Sequence, residues 1–184
     1  MRLAGQTPCR CLPLSSNVSR HMRRRLFAFA ALAASVGTAK AGNNDVAVWA
    51  IASSKHATNG RVIVFRFARQ FRAGFEKSAL PDRVILAWRY KSESGLPAGQ
   101  EREAMDHMED LLAPAVEKPG VAVLALVSTG EDLREWIYYT RSEQEFLNSL
   151  NKVLAGAQRF PIEVHTASDP QWSAYERFRK GVKE

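Results

Sequence analysis

The stretch EREAMDHMEDLL, Glu101 to Leu112, gathers several side chains able to do acid–base or metal chemistry. On a helix Glu103, His107 and Asp110 fall at i, i+4 and i+7, one face that could ligate a metal or supply an acid/base pair. Met105, Met108 and Leu112 define the buried side of the same helix, and His107 points well away from it, so a solvated charged face is the simpler account of the trio. There is no HExxH, and beyond residue 41 the remaining histidines are His56 and His165. Glu109 is the more informative carboxylate, because it flanks the apolar stripe beside Met105. It is expected to pair with Arg134 or Arg89, which is structural unless a cleft lies next to it.

The second concentration is REWIYYT, Arg134 to Thr140. If this is a strand beside RVILAWRY (Arg83 to Tyr90), then Trp88, Tyr90, Trp136 and Tyr138 share a sheet face. Together with Arg134 and Glu109 they are the candidate ligand-binding residues. RNA-recognition modules stack bases on such a face. The competing expectation is a face covered by the N-terminal hairpin or by a helix bearing Trp172. Val84 and Leu86 would lie beside the aromatics, and open apolar area costs about 25 cal/mol per Å², so the covered face is preferred and a small-ligand or peptide groove comes second. Ser128, Thr129 and Gly130 lack a G-x-S-x-G setting, and no phosphate-cradling G-x-x-x-x-G-K or G-x-G-x-x-G occurs. No cofactor and no metal is expected.

The elements that must position these residues follow from pattern. DVAVWAIA (Asp45 to Ala52) and RVIVFRF (Arg61 to Phe67) read as strands around a Thr58-Asn59-Gly60 turn. RVILAWRY is a third strand, and a helix runs from about Ala98 to Val116, kinked or ended by Pro114. VAVLALV (Val121 to Val127) should be a strand buried on both faces, with Ser128 to Leu133 turning into REWIYYT. Ser142 and Glu145 form a capping box for the next helix, with Phe146, Leu150, Val153 and Leu154 as its apolar stripe. FPIEVHT (Phe160 to Thr166) alternates and carries a proline, which marks an edge strand. Asp169 and Pro170 are expected as N-cap and first residue of a last helix. From Arg83 the order strand, helix, strand, strand, helix, strand predicts an α+β fold with a ferredoxin-like split β-α-β core (βαββαβ), preceded by an N-terminal β-hairpin and followed by a C-terminal helix.

Several of these residues also carry a resemblance. Trp88-x-Tyr90, Met105 through MEDLL, Thr129-Gly130 with REWIYY, FPIEV and DPQWSAY resemble, in order and spacing, a bacterial family known as domain of unknown function 695, over about residues 84–178. The resemblance implies no activity, cofactor or catalytic residue. Some relatives look fused to a segment similar to ribonuclease E inhibitor proteins, which implies an interaction role in the cytoplasm.

The first forty residues point elsewhere. Arg23-Arg24-Arg25, the apolar run Leu26 to Gly37 and TAKA ending at Ala41 read as a secretory signal peptide. The run is well short of the roughly 20 residues a membrane span needs. Met22 directly precedes the arginines and is a candidate start, which would make residues 1–21 a start-site artefact. Cleavage between Ala41 and Gly42 removes seven of the 26 basic residues and none of the 19 acidic ones, so residues 42–184 carry no net charge. That removes the electrostatic footprint a nucleic acid requires. Both cysteines, Cys9 and Cys11, leave with the signal, so no disulfide or thiolate site is expected in the remainder. The sequence therefore predicts a periplasmic or secreted single domain over 42–184. It would bind an unknown protein, peptide or small ligand without catalysis, with no nucleic acid and no stable membrane insertion. The alternative is a carboxylate- or metal-dependent hydrolase centred on the 103–110 helix.

Overall fold

The computed structural model describes residues 45–117 and 120–182; the signal segment and its Ala41–Gly42 junction lie outside them. Six strands make one antiparallel sheet: β1 (Val46–Lys55), β2 (Val62–Phe71), β3 (Asp82–Arg89), β4 (Ala122–Gly130), β5 (Leu133–Thr140) and β6 (Ile162–Ser168), in the order β1-β2-β4-β5-β3-β6. Helix α1 (Gly99–Leu112) connects β3 to β4, α2 (Glu143–Leu154) connects β5 to β6, and α3 (Ser173–Gly181) follows β6. The fold is thus mixed α+β. No helix among the described residues is long and apolar enough to cross a membrane.

Two layers lie on the sheet. On one face α1 contributes Met105, Met108 and Leu112 and α2 contributes Phe146 and Leu150, packed against Val84, Leu86, Trp88, Leu124, Trp136 and Tyr138. On the other face α3 and the segment before it bring Trp172 and Tyr175 against Val46, Ala68, Val123, Ala125 and Tyr139. The central strand β4 is buried on both faces from Ala122 to Val127, as its unbroken apolar run requires. The aromatic face is therefore covered, and its covers are α1 and α2. The sequence reading gave that role to the hairpin or the Trp172 helix; Trp172 in fact stacks on Tyr139, on the opposite face, with ring centroids 3.9 Å apart.

Local departures have physical reasons. The β4–β5 connection is a two-residue turn, Glu131-Asp132, rather than a loop from Ser128 to Leu133. Both residues have positive φ (55° and 61°), the arrangement whose twist matches a hairpin. Side chains restrain it: Asn59 Nδ2 donates to Glu131, and Asp132 accepts from Ser92 N at 3.0 Å and pairs with Arg61 at 3.2 Å. Gly130 has no alternative, since a Cβ there would sit 2.7 Å from the Val62 carbonyl oxygen. After α1, Pro114 sits in a π-helical turn, Ala113–Glu117, so the helix ends before Val116. Only half of the capping box forms: Ser142 Oγ accepts from Glu145 N at 3.3 Å, while Arg141 takes the Glu145 carboxylate.

Helix α3 starts at Ser173, later than expected. Asp169 still caps it from a distance, with Oδ1 accepting from Ser173 N at 2.7 Å and Oδ2 from Ala174 N at 3.1 Å. Pro170 falls in a turn ahead of the helix. That turn puts Trp172 in the left-handed region (φ 53°), a conformation costing about 1–2 kcal/mol for a non-glycine residue. Stacking on Tyr139 and an indole hydrogen bond to the Leu80 carbonyl at 2.9 Å offset it.

Candidate functional site

The aromatic residues singled out in the sequence are structural in placement. Trp136 and Tyr138 are wholly buried, and Trp88 and Tyr90 nearly so. Two indoles on this face donate to carboxylates of α1: Trp88 Nε1 to Glu101 at 2.7 Å and Trp136 Nε1 to Glu109 at 2.8 Å. Charge-assisted bonds of this kind are about twice as strong as neutral ones, so two strands, β3 and β5, pin the helix at two points along its length. The Tyr90 hydroxyl donates to the Gly95 carbonyl at 2.9 Å; burial, then the nearby Asp132 charge, pushes its pKa up to about 12. The Tyr138 hydroxyl is buried with no hydrogen-bond partner among the described residues. Burial foremost, then the Glu117 and Glu109 charges, drives its pKa well above the tyrosine range.

Beside this core the helix layer ends and the hairpin begins, and here the charged residues collect. Register places Val64 of β2 opposite Thr129 of β4, and Thr129 opposite Arg134 of β5. Arg66, two residues along β2, and Arg134 both reach Glu109 of α1: Arg66 Nη2 donates to one carboxylate oxygen, and Arg134 Nη2 to the other at 3.3 Å. Arg134 Nη1 donates to Asp106 at 2.8 Å, and its guanidinium lies over the Trp136 ring, 4.8 Å from the centroid. Arg66 lies over Trp49 at 5.2 Å. Arg134 is only 9% exposed, so its charge is held by protein partners rather than water.

These groups wall a cleft of about 430 Å³, with Arg66, Arg102, Asp106 and Arg134 as its charged lining, Thr129 beside them, and Val64, Val127, Leu96 and Pro97 as its apolar surfaces. Arg102 is exposed on α1, one turn before Asp106, and makes no ion pair among the described residues. Of the six candidate ligand residues, Arg134 lines the cleft and Glu109 stands behind it, while Trp88, Tyr90, Trp136 and Tyr138 lie beneath the helices. Arg89 pairs with Glu163 at 3.4 Å, not with Glu109. Glu103, His107 and Asp110 are exposed on α1, with the His107 ring 6.3 Å from that of Phe160. No group of three or more His, Cys, Asp or Glu among the described residues could hold a metal ion. Sequence reasoning missed Arg66, Arg102 and Asp106. Arg66 did leave a signal, as a charge set between Phe65 and Phe67 in an apolar strand, where a partner is required.

A second, smaller cavity of about 150 Å³ opens on the opposite face, floored by Ile63, Phe65, Leu126 and Ile137. A family model matches residues 48–178, and the chain belongs to that family of unknown function, DUF695. The matched span reaches back through the hairpin, beyond the Val84 start suggested by the motifs, and so includes Trp49 and Arg66. A search of curated proteins found no match.

Proposed function

We propose that the domain works by binding, and that it holds an anionic small molecule or peptide end in the arginine-lined cleft. One observation carries the reading: Arg66, Arg102 and Arg134, from two strands and a helix, surround a single cleft whose lining includes one acid, Asp106. Glu109 is committed to Arg66, Arg134 and Trp136, which orient Arg134 before any ligand arrives. A cleft with apolar walls and a few fixed polar groups is the usual form of a small-ligand site. The hydrolase alternative draws less support, since both Glu109 oxygens are occupied by donors and Glu103, His107 and Asp110 lie on exposed helix surface. Calorimetric titration of residues 42–184 with phosphate, hexanoate and an acidic tripeptide tests the reading. At least one anion should bind, and Arg102→Ala should lose that heat while unfolding at the same temperature. Unaltered binding by the variant would sink it.

We propose two further properties of the chain. The strand order β4-β5-β3-β6, all antiparallel, supports describing the core as a ferredoxin-like split β-α-β unit. The Arg23–Ala41 sequence supports export to the periplasm or beyond, with Gly42 as the new N-terminus. Mass spectrometry of the exported protein should find Gly42 first; a chain retaining Met22 inside the cell would count against it.

A further inference from the structure

The geometry points to a ligand that carries a carboxylate on a short apolar body and enters by displacing Asp106 from Arg134. This rests on the cleft being an anion site, and it adds what the anion is attached to and what guards its place. Arg134 makes two carboxylate contacts of unequal permanence. Its Nη2 bond goes to Glu109, whose side chain is 15% exposed and also receives Arg66 and Trp136. Moving Glu109 would strand three donors, one of them an indole in the core. Its Nη1 bond goes to Asp106, whose side chain is 54% exposed and bonds to no other group among the described residues. Releasing that carboxylate costs little once another anion takes its place on the buried guanidinium, because water already solvates the Asp106 side of the pair.

Asp106 thus occupies, from the protein's own helix, the position a ligand carboxylate would take. Arg102, one turn earlier on the same cleft wall, offers a guanidinium without an ion pair for the second oxygen of the incoming group. Arginine forks suit carboxylates and phosphates alike, so charge alone does not choose between them. The rest of the lining does: Val64, Val127, Leu96 and Pro97 present apolar surface to the same cleft, which rewards an apolar body on the ligand and offers a compact phosphate nothing.

Labelled protein (residues 42–184) is titrated with hexanoate and, separately, with inorganic phosphate, following the four tryptophan indole resonances. Hexanoate should bind with a Kd on the order of 1 mM and shift the Trp136 indole, which lies under Arg134, while leaving that of Trp172 on the far face in place. Asp106→Asn should bind hexanoate about two- to fivefold more tightly, since the carboxylate it no longer has to displace is solvent-exposed. Asp110→Asn, the same charge change one turn further on, should not. Equal gains in both variants, or weaker binding by Asp106→Asn, overturn the displacement while the anion site stands. Phosphate binding without hexanoate binding overturns the apolar carboxylate and again leaves the anion site. If neither probe moves the Trp136 indole, the inference fails, and the binding reading on which it rests fails with it when the acidic tripeptide also gives no heat.

Discussion

Replacing Glu109 by leucine tests whether the ion-pair network is a structural keystone or an exposed ornament. The carboxylate is 15% exposed and accepts from Arg66, Arg134 and the Trp136 indole. Removing one partner of a buried pair costs about 3–5 kcal/mol, but two discounts apply here. The Arg66 side chain is 36% exposed and can rehydrate, and Arg134 retains Asp106. The buried indole N–H cannot find water and contributes about 1–3 kcal/mol as an orphan. The expected loss is therefore about 3 kcal/mol. With a urea slope near 2 kcal/mol per M, the unfolding midpoint should fall by roughly 1.5 M. A double-mutant cycle isolates the indole: with Trp136→Phe there is no N–H to strand, so the pair should cost about 1–2 kcal/mol less than the sum of the single variants. A loss below about 0.5 kcal/mol for Glu109→Leu, or strict additivity in the cycle, refutes the reasoning.

Tyr138→Phe should be neutral or raise stability by about 1 kcal/mol in urea melts, since the buried hydroxyl has no partner to lose among the described residues. Tyr139→Phe should instead cost about 1–2 kcal/mol, as it breaks the 2.9 Å bond to Asp169. Burial pushes the Asp169 pKa up, but bonds from Ala174 N, Ser173 N and Tyr139 outweigh that and leave it lowered. Its stabilising share is thus present above the unfolded aspartate pKa near 3.9 and lost as pH falls through the lower folded value. Asp169→Asn should flatten the acid limb of stability below about pH 4, and an unchanged limb would count against the cap. Gly130→Ala should destabilise by about 2–3 kcal/mol, because the new Cβ meets Val62 O at 2.7 Å and Ile63 Cα at 2.8 Å; a wild-type melting temperature would contradict that backbone approach.

Strands and helices were legible wherever one local rule decided them. The apolar run of β4, the Ser142 cap and the edge position of β6 each follow from a few neighbouring residues. What was not legible depended on pairs far apart in the chain. Which helices cover Trp136 is settled by crossover packing, and both helix faces were compatible with either side of the sheet. The tight Glu131-Asp132 turn has neither glycine nor asparagine to announce it; its positive φ angles accompany bonds from Asn59, Arg61 and Ser92. The candidate site was half visible for the same reason. Arg134 and Glu109 stood out inside motifs, whereas Arg66 and Arg102 become partners in a cleft only once β2 lies beside β4.

The cleft itself follows from a mismatch of widths. Strands repeat every 4.7–4.9 Å across a sheet, and packed helices lie about 8–10 Å apart. Two helices therefore cover about four strands, here β4, β5, β3 and β6. Adding the β1–β2 hairpin widens the sheet to six strands without adding a helix on that face, so a step must form between α1 and the hairpin. At that step β2 needs side chains that tolerate partial exposure yet still bridge to the helix. Arg66 meets the need, with its guanidinium over Trp49 and its charge on Glu109. The same width mismatch that leaves apolar Val64 at the edge of the layer sets cationic groups around it. A cleft lined by arginines at this place is a consequence of extending the core sheet by two strands, and the family match from residue 48 takes in those strands.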